Sequence, residues 1–283
     1  MRCIMDNINW YPGHMKKTRE LIEDSLKMVD LVIEVVDARI PVSSRNPIID
    51  QLTRGKRRVI ILNKSDLSDP SANEAWENRL KEEGNMVTAM NCMKGQGTKQ
   101  LLKLLSSLQA EKNEGKIRKK PLRMMIVGVP NVGKSSLINR LTGRKSAKTG
   151  DRPGVTRGKQ WLSLESGMQL LDTPGILWPK FEDPRAGLNL AFCGSIKDEI
   201  LDVSDLALEL IKVLQDKYPR LLIDRYKIED IGDTPLETME AIAKRRGFIL
   251  AGKRIDYERC ARTLLDEFRG GVIGNITLET ADD

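Results

Sequence analysis

The chain has 283 residues, of which 31% are charged and 4% aromatic, and its formal net charge is +7. This length allows two domains, and no apolar run approaches the roughly 18 residues of a membrane span, so we expect no membrane partner. The four cysteines are scattered and include no C-x-x-C pair. They indicate neither a zinc ribbon nor a disulfide framework, and they predict the reduced cytoplasm as the compartment.

Positive charge is unevenly distributed along the chain. Residues 201–283 contain 13 Lys and Arg against 17 Asp and Glu, so the basic surplus belongs to residues 1–200. A basic surface favours a polyanionic partner such as nucleic acid. The alternative, that these side chains form the solvated faces of a protein without such a partner, fits the charge alone equally well.

The first 110 residues alternate between apolar and amphipathic stretches. Continuous apolar runs at 29–36 and 57–62 are typical of strands buried in a parallel sheet, and a shorter strand is predicted at 86–90. Helices are predicted over 14–28, 46–53, 71–83 and 98–109. This alternation predicts an α/β fold with a doubly wound, mostly parallel sheet.

A G-x-x-x-x-G-K-S pattern runs from Gly128 to Ser135, between an apolar strand and a helix predicted over 134–142. This context predicts a P-loop, in which Gly128 and Gly133 let successive N–H groups converge on phosphate oxygens. Lys134 would reach the β- and γ-phosphates, and the Ser135 hydroxyl would bind Mg²⁺. The predicted phosphate-binding residues here are Asn131, Val132, Gly133, Lys134, Ser135 and Ser136.

A basic loop without apolar periodicity covers residues 143–159, and long loops of this kind are often functional. Two short strands are predicted after it, over 160–164 and 168–171. Asp172, at the end of the second strand, is placed for the water shell of Mg²⁺, and the Gly175 N–H for the γ-phosphate. Thr156 is the predicted second hydroxyl for Mg²⁺, with Thr149 as the alternative.

The segment Asn63-Lys64-Ser65-Asp66 follows a predicted strand and has the composition of a base-reading loop. The Asp66 carboxylate only accepts hydrogen bonds, and guanine offers it two donors where adenine does not. Asn63 would hold the base edge and tie this loop to the P-loop, while the Lys64 stem would lie on the ring. Asn91 and Cys92 would also lie against guanine. The alternative for these two is an ordinary strand-to-helix turn.

The pattern becomes helical from about residue 184. Ser204 is predicted to cap one helix, and Thr234 to Glu237 forms a capping box for another. A last helix, with apolar residues at helical spacing, is stopped by Gly270-Gly271. We therefore predict a GTP-binding domain over 1–182 and a small all-α domain over 183–283.

The order of the motifs is unusual. Asn63–Asp66 precedes Gly128–Ser135, which precedes Asp172–Gly175, whereas ordinary small GTPases place the guanine-reading motif last. The chain therefore resembles the circularly permuted GTPases. Within that group, the segments Trp10–Met15 and Asp37–Pro41 resemble those of the ribosome biogenesis GTPase A family, also called YlqF or RbgA. This resemblance covers the whole chain, including the helical part.

The resemblance implies a GTPase that assembles the large (50S) ribosomal subunit, and we expect the protein to be monomeric. It implies binding to precursor rRNA in the GTP state and release on hydrolysis, with Mg²⁺ and K⁺ as cofactors. Ile176 stands where many GTPases carry a water-orienting glutamine, so we expect the intrinsic rate of hydrolysis to be slow. The family resemblance assigns the water-orienting role to His14. It also assigns K⁺ to Asn131. From the residues alone, the favoured interpretation of His14 is a helix-start residue packed near Trp10 and Tyr11.

Three alternatives stay open. The chain could be a GTP-dependent RNA-binding switch with little hydrolysis, or an assembly factor for another RNA particle such as the small subunit. The basic cluster Lys244-Arg245-Arg246 could contact RNA, or its positive charge could only stabilise the negative end of its own helix dipole.

Overall fold

The computed structural model describes residues 19–143 except 21, residues 160–172 except 165, and residues 183–281. Among the predicted site residues, His14, Thr156 and Gly175 lie outside these ranges, as do Thr149 and Ile176. The chain forms two compact units. One, the α/β unit, extends to Phe181 and includes the segment from Glu279 onward, and the other, the helical unit, covers Glu182–Leu278.

The α/β unit is built on a six-stranded sheet. Its strands are β1 (Leu31–Asp37), β2 (Arg57–Asn63), β3 (Met86–Met90), β4 (Arg123–Val127), β5 (Gln160–Ser163) and β6 (Gln169–Asp172). They lie in the order β3-β2-β1-β4-β6-β5, and all neighbours pair in parallel except β5 and β6. The predicted doubly wound, mostly parallel α/β sheet is confirmed.

The register of the sheet brings the strand ends that carry the motifs to one edge. Asp37, the last residue of β1, is paired with Asn63, the last residue of β2, and Asn63 is paired with Met90 of β3. On the other side, β1 pairs with β4. The strand order reverses between β1 and β4, which makes the carboxyl ends of these two strands the expected place for a ligand.

Four helices follow strands of the α/β unit: α1 (Pro47–Leu52), α2 (Pro70–Glu82), α3 (Thr98–Asn113) and α4 (Lys134–Thr142). The side chains of Asn46 and Asp69 cap α1 and α2, each of which has proline at its start. α3 extends four residues beyond the predicted end at 109. The side chain of Asn113 stabilises this last turn. Its Nδ2 donates to the backbone oxygens of Gln109 and Lys120, and its Oδ1 accepts from the N–H of Lys120.

The core of the α/β unit consists of apolar side chains from the strands and the helices that cover them. One cluster contains Ile22, Leu26, Val29, Val32, Ile49, Met125, Val127 and Leu171. A second contains Val36, Ala38, Ile60, Leu62, Trp76 and Leu80. The strands β1 and β2 are buried almost throughout, which explains why they read as continuous apolar runs in the sequence.

The helical unit contains α5 (Pro184–Phe192), α6 (Val203–Lys217), α7 (Pro219–Tyr226), α8 (Pro235–Arg246) and α9 (Tyr257–Arg269), with 3₁₀ turns at Asp198–Ile200 and Ala251–Lys253. The capping box of α8 is present, with Thr234 and Glu237 bonded reciprocally. The prediction that Ser204 caps α6 is wrong. Asp202 is the cap, because its carboxylate accepts from the N–H groups of Ser204 and Asp205.

The buried stripe of α9 follows the predicted spacing and consists of Cys260, Ala261, Leu264, Leu265 and Phe268. It packs against α6 and α8 inside the helical unit. Within the described ranges, no helix is both long enough and apolar enough to cross a membrane.

Candidate nucleotide-binding site

Two glycines give the P-loop its shape. Gly128 directly follows β4 and has φ +149°, and a Cβ on it would lie 2.4 Å from the carbonyl oxygen of Val35. Gly133 has φ +102°, and a Cβ there would lie 2.1 Å from Nδ2 of Asn63. Both positions therefore exclude any larger side chain, and they let the backbone turn closely around the space where phosphates would lie.

Lys134 begins α4 and turns its side chain back over the loop. Its buried ammonium donates to the carbonyl oxygens of Gly128 at 3.0 Å and Val129 at 2.7 Å. The positive charge is thus already inside the loop, beside the positive end of the α4 dipole. Ser135 follows in the first turn of the same helix.

The remaining predicted phosphate-binding residues occupy the same short segment. Asn131 has φ +61°, an uncommon conformation for a residue with a side chain, and Val132 is buried. The Ser136 hydroxyl lies 3.4 Å from Sδ of Met93, which belongs to the loop after β3. The P-loop is therefore a closely packed turn that approaches the other loops of this sheet edge.

Asn63 joins three loops at this edge. Its Nδ2 donates to the carbonyl oxygen of Val132 in the P-loop at 2.6 Å, and its Oδ1 accepts from the N–H of Cys92 at 3.0 Å. The side chain is buried, so both bonds are shielded from competing water. The base-reading loop, the P-loop and the loop after β3 are thereby held in one arrangement.

Lys64 has an ion-pair partner that sequence reasoning did not identify. Its Nζ lies 2.9 Å from Oδ2 of Asp37, and the same carboxylate accepts from Nε and Nη2 of Arg39 at 2.9 Å and 2.8 Å. Burial alone would raise the pKa of Asp37, but the two cations outweigh it and hold that pKa well below its usual range. The pairing follows from the register, which places Asp37 beside Asn63.

Asp66 lies on the partly exposed side of the base-reading loop. Its Oδ2 is 3.4 Å from Nζ of Lys94, whose side chain is 74% exposed. An exposed pair of this kind is weak, so it does not prevent the carboxylate from accepting N–H groups of a base. The Ser65 N–H donates to Met90 O at 3.1 Å, which fixes the loop between the ends of β2 and β3.

Asn91 and Cys92 shape the loop after β3. The backbone carbonyl oxygen of Asn91 accepts from the N–H of Gly95, and its side-chain Oδ1 accepts from the N–H of Lys94 at 2.9 Å. Desolvation raises the pKa of the buried Cys92 thiol to about 12. These contacts are those of a strand-to-helix turn. Sequence reasoning did not identify Arg140 of α4, whose guanidinium donates to the carbonyl oxygens of Cys92 and Met93. Guanine contacts by Asn91 and Cys92 stay predictions.

The backbone position of Asp172 suits the predicted Mg²⁺ role. It ends β6, which pairs with β4, the strand that leads into the P-loop. In the described parts of the chain, no group of three or more His, Cys, Asp and Glu side chains forms a ready metal site. Mg²⁺ in P-loop proteins takes most ligands from water and phosphate, so a donor set of one hydroxyl, from Ser135, and one outer carboxylate fits it.

Family models match both halves of the permuted arrangement. The model described as RsgA GTPase matches residues 48–182, and the model described as 50S ribosome-binding GTPase matches residues 123–242. The first match includes the segment Asn63–Asp66 ahead of the P-loop. The overlap of the two matches contains the P-loop itself.

Proteins named ribosome biogenesis GTPase A are similar to this chain over nearly their full length. The one from Bacillus cereus is 45% identical over 98% of this chain and 95% of its own, and the one from Thermotoga maritima is 33% identical over 98% and 95%. The mouse mitochondrial ribosome-associated GTPase 1 is 35% identical over 97% of this chain and 90% of its own.

Solved structures of YlqF agree with the fold. The GDP-bound structure of TM YlqF superposes with a TM-score of 0.69 at 30% identity, covering 93% of this chain and 99% of that one. The GNP-bound YlqF from T. maritima gives 0.67 at 30% identity, covering 94% and 99%. With this fold, this order of motifs and these relatives, the chain belongs to the ribosome biogenesis GTPase A family of circularly permuted GTPases.

Proposed function

We propose that this protein binds and hydrolyses GTP and acts in the assembly of the large ribosomal subunit. The observation that carries the proposal is the pair of hydrogen bonds from Asn63, which join the guanine-reading loop to the P-loop and to the loop after β3. Base selection and phosphate binding would thereby share one edge of the sheet.

The binding step follows from the side chains at that edge. Lys134 and the N–H groups around Gly133 would bind the phosphates, with Asn131, Val132 and Ser136 completing the loop. Asp66 would accept the two N–H donors of guanine while the Lys64 stem lies along the ring. The buried Asp37 carboxylate supports this arrangement, because it holds the Lys64 ammonium at 2.9 Å and so restricts the course of the Lys64 side chain.

Hydrolysis would use residues from both sides of the phosphates. The Ser135 and Thr156 hydroxyls and, through water, Asp172 would hold Mg²⁺, which would supply positive charge beside the phosphate oxygens, and the Gly175 N–H would donate to the γ-phosphate. His14 would orient the attacking water. Changing His14 to Ala should lower turnover and spare GTP affinity, and an unchanged rate would remove His14 from the mechanism.

We propose that Asn131 also holds a K⁺ ion against the phosphates, in place of an arginine supplied by another protein. Asn131 lies inside the P-loop, and its side-chain carbonyl oxygen is a hard donor of the type that suits such a cation. Turnover should be faster in K⁺ than in Na⁺ at equal ionic strength. Equal rates in the two salts would contradict a K⁺ site.

The ribosomal role is supported by what the relatives are called and by charge. One matching family model is described as a 50S ribosome-binding GTPase, and the basic surplus of residues 1–200 suits an rRNA partner. We propose that the GTP form binds a precursor of the large subunit in the cytoplasm as a monomer, and that hydrolysis releases it. The helical unit would contribute RNA contacts through Lys244-Arg245-Arg246.

Cosedimentation with purified subunits tests this role. The protein should pellet with large subunits in the presence of a non-hydrolysable GTP analogue, much less with GDP, and not with small subunits. A Lys134→Ala variant, which should bind nucleotide poorly, is the control for nucleotide dependence. Pelleting with small subunits alone would favour the other RNA particle, and pelleting without any turnover would favour the binding switch.

A further inference from the structure

The end of the described chain is bonded to the turn that follows β1. Residues 279–281, which we call the tail, belong to the α/β unit. The Glu279 carboxylate accepts from the N–H of Val42 at 2.6 Å, from the N–H of Ser43 at 3.0 Å and from the Ser43 hydroxyl. A carboxylate that accepts several N–H and O–H groups forms charge-assisted bonds, which are stronger than neutral ones.

Two further contacts fix the tail in place. The indole Nε1 of Trp76 donates to the carbonyl oxygen of Glu279 at 3.0 Å, and the guanidinium of Arg79 donates to that of Ala281. The Ala281 side chain packs against the apolar cluster that includes Val36 and Leu62. The tail therefore covers the ends of β1 and β2 and does not lie loosely on the surface.

The turn held by the tail leads directly to the base-reading loop. Ser44, next to Ser43, accepts from the N–H of Asp37 at 3.0 Å and donates to the carbonyl oxygen of Ile40 at 2.7 Å. Asp37 in turn holds the Lys64 ammonium at 2.9 Å. An unbroken series of bonds thus connects Glu279, through the turn at residues 37–44, to the loop that would read guanine.

We propose that Glu279 is a positioning residue for guanine recognition: by holding the turn at residues 37–44, it keeps Asp37 aimed at Lys64 and so keeps the base-reading loop in its binding conformation. The inference rests on the guanine-nucleotide binding proposed above. It assigns a part of the nucleotide site to a segment more than 200 residues away in the chain from the loop it supports.

The test compares nucleotide affinities of full-length variants. Glu279→Ala should bind GDP about tenfold more weakly, mainly through faster dissociation, and Ser43→Ala should change affinity in the same direction by less. Inosine diphosphate lacks the 2-amino group of guanine, so the Glu279→Ala change should weaken its binding less than it weakens the binding of GDP. Glu82→Ala, which removes an exposed carboxylate from α2, is the control and should bind as the unmodified protein does.

A variant cycle separates positioning from general destabilisation. If Glu279 acts through Lys64, the Glu279→Ala change should have little further effect on GDP affinity in a Lys64→Ala background. Additive effects, or an undiminished affinity of Glu279→Ala, would overturn the inference while leaving the proposed function intact. An unmodified protein that binds no guanine nucleotide would overturn the proposed function and this inference together.

Discussion

Asp66 carries the choice between bases in this account. Its carboxylate lies on the rim of the site, with an exposed lysine, Lys94, as a weak partner at 3.4 Å. A carboxylate has only acceptors, so it suits the two donors on one edge of guanine and no edge of adenine. The rest of the loop, from Asn63 to Lys64, is bonded on its inner side and serves to hold Asp66 in position.

The first prediction concerns this residue. In Asp66→Asn, an amide replaces the carboxylate and turns a donor toward one N–H of guanine, so GDP affinity should fall by about 100-fold. Xanthosine diphosphate, which has a carbonyl where guanine has the 2-amino group, should gain affinity. Lys94→Ala is the matched control and should change GDP affinity by less than about threefold. Competition titrations measure all of these values, and an unchanged GDP affinity in Asp66→Asn would exclude the assignment.

The second prediction compares two glycines with positive φ. At Gly133 a Cβ would meet Asn63 Nδ2 at 2.1 Å, whereas at Gly55, with φ +80°, no described atom lies within 4 Å. Gly55→Ala should therefore lower the free energy of unfolding by about 1 kcal/mol and leave nucleotide binding unchanged. Gly133→Ala should displace Asn63 and weaken GDP binding by more than about tenfold. Equal GDP affinities for the two variants would show that the close approach does not matter.

Among the elements, β1 is a buried strand that carries an ionisable side chain in its middle. Glu34 lies in its middle with no exposed surface, 3.2 Å from Nη1 of Arg58 and 3.9 Å from Nε of Arg45. Its Oε1 has no hydrogen-bond partner among the residues that the structure describes. Desolvation outweighs the two arginines, helped by the nearby Asp50 carboxylate, and raises the pKa of Glu34 from an ordinary 4.5 to about 7.

The third prediction is a pH dependence of stability. Between pH 4.5 and 7 the folded state binds more protons at Glu34 than the unfolded state, so this group's contribution to the free energy of unfolding decreases as the pH rises. The decrease should approach about 3 kcal/mol. Denaturation of unmodified protein and Glu34→Gln at pH 5 and pH 8, without nucleotide, measures it. Relative to the unmodified protein, Glu34→Gln should have a higher free energy of unfolding at pH 8 than at pH 5. If the free energies of unfolding of the two proteins change in parallel with pH, the raised pKa of Glu34 is contradicted.

Local patterns were sufficient to predict most elements, and long-range contacts were not. The strands of the parallel sheet and the capping box at Thr234 depend on nearby residues, and the sequence identified them. The predicted Ser204 cap of α6 is wrong because Asp202 is an equally good capping residue, and only the backbone shows which of the two reaches the free N–H groups. The Asp37–Lys64 pair needs the strand register, and the Glu279–Ser43 contact joins residues 236 positions apart.

For the whole molecule, the permuted order of motifs still brings the loops of the predicted site to one edge of the sheet. The base-reading loop after β2 comes first in the chain and the P-loop after β4 comes later, but the sheet places β1 between these strands and brings their carboxyl ends to one edge. What a parallel sheet requires is the spatial order of its strands, and the chain can enter that order at different points. The same permutation places the helical unit after β6.

The most direct test of the whole account is GTP turnover in K⁺ buffer, measured for the protein alone and with purified large or small ribosomal subunits. We expect slow turnover by the protein alone and strong stimulation by the large subunit only. Stimulation by the small subunit only, or by neither while nucleotide remains bound, would contradict a large-subunit assembly GTPase.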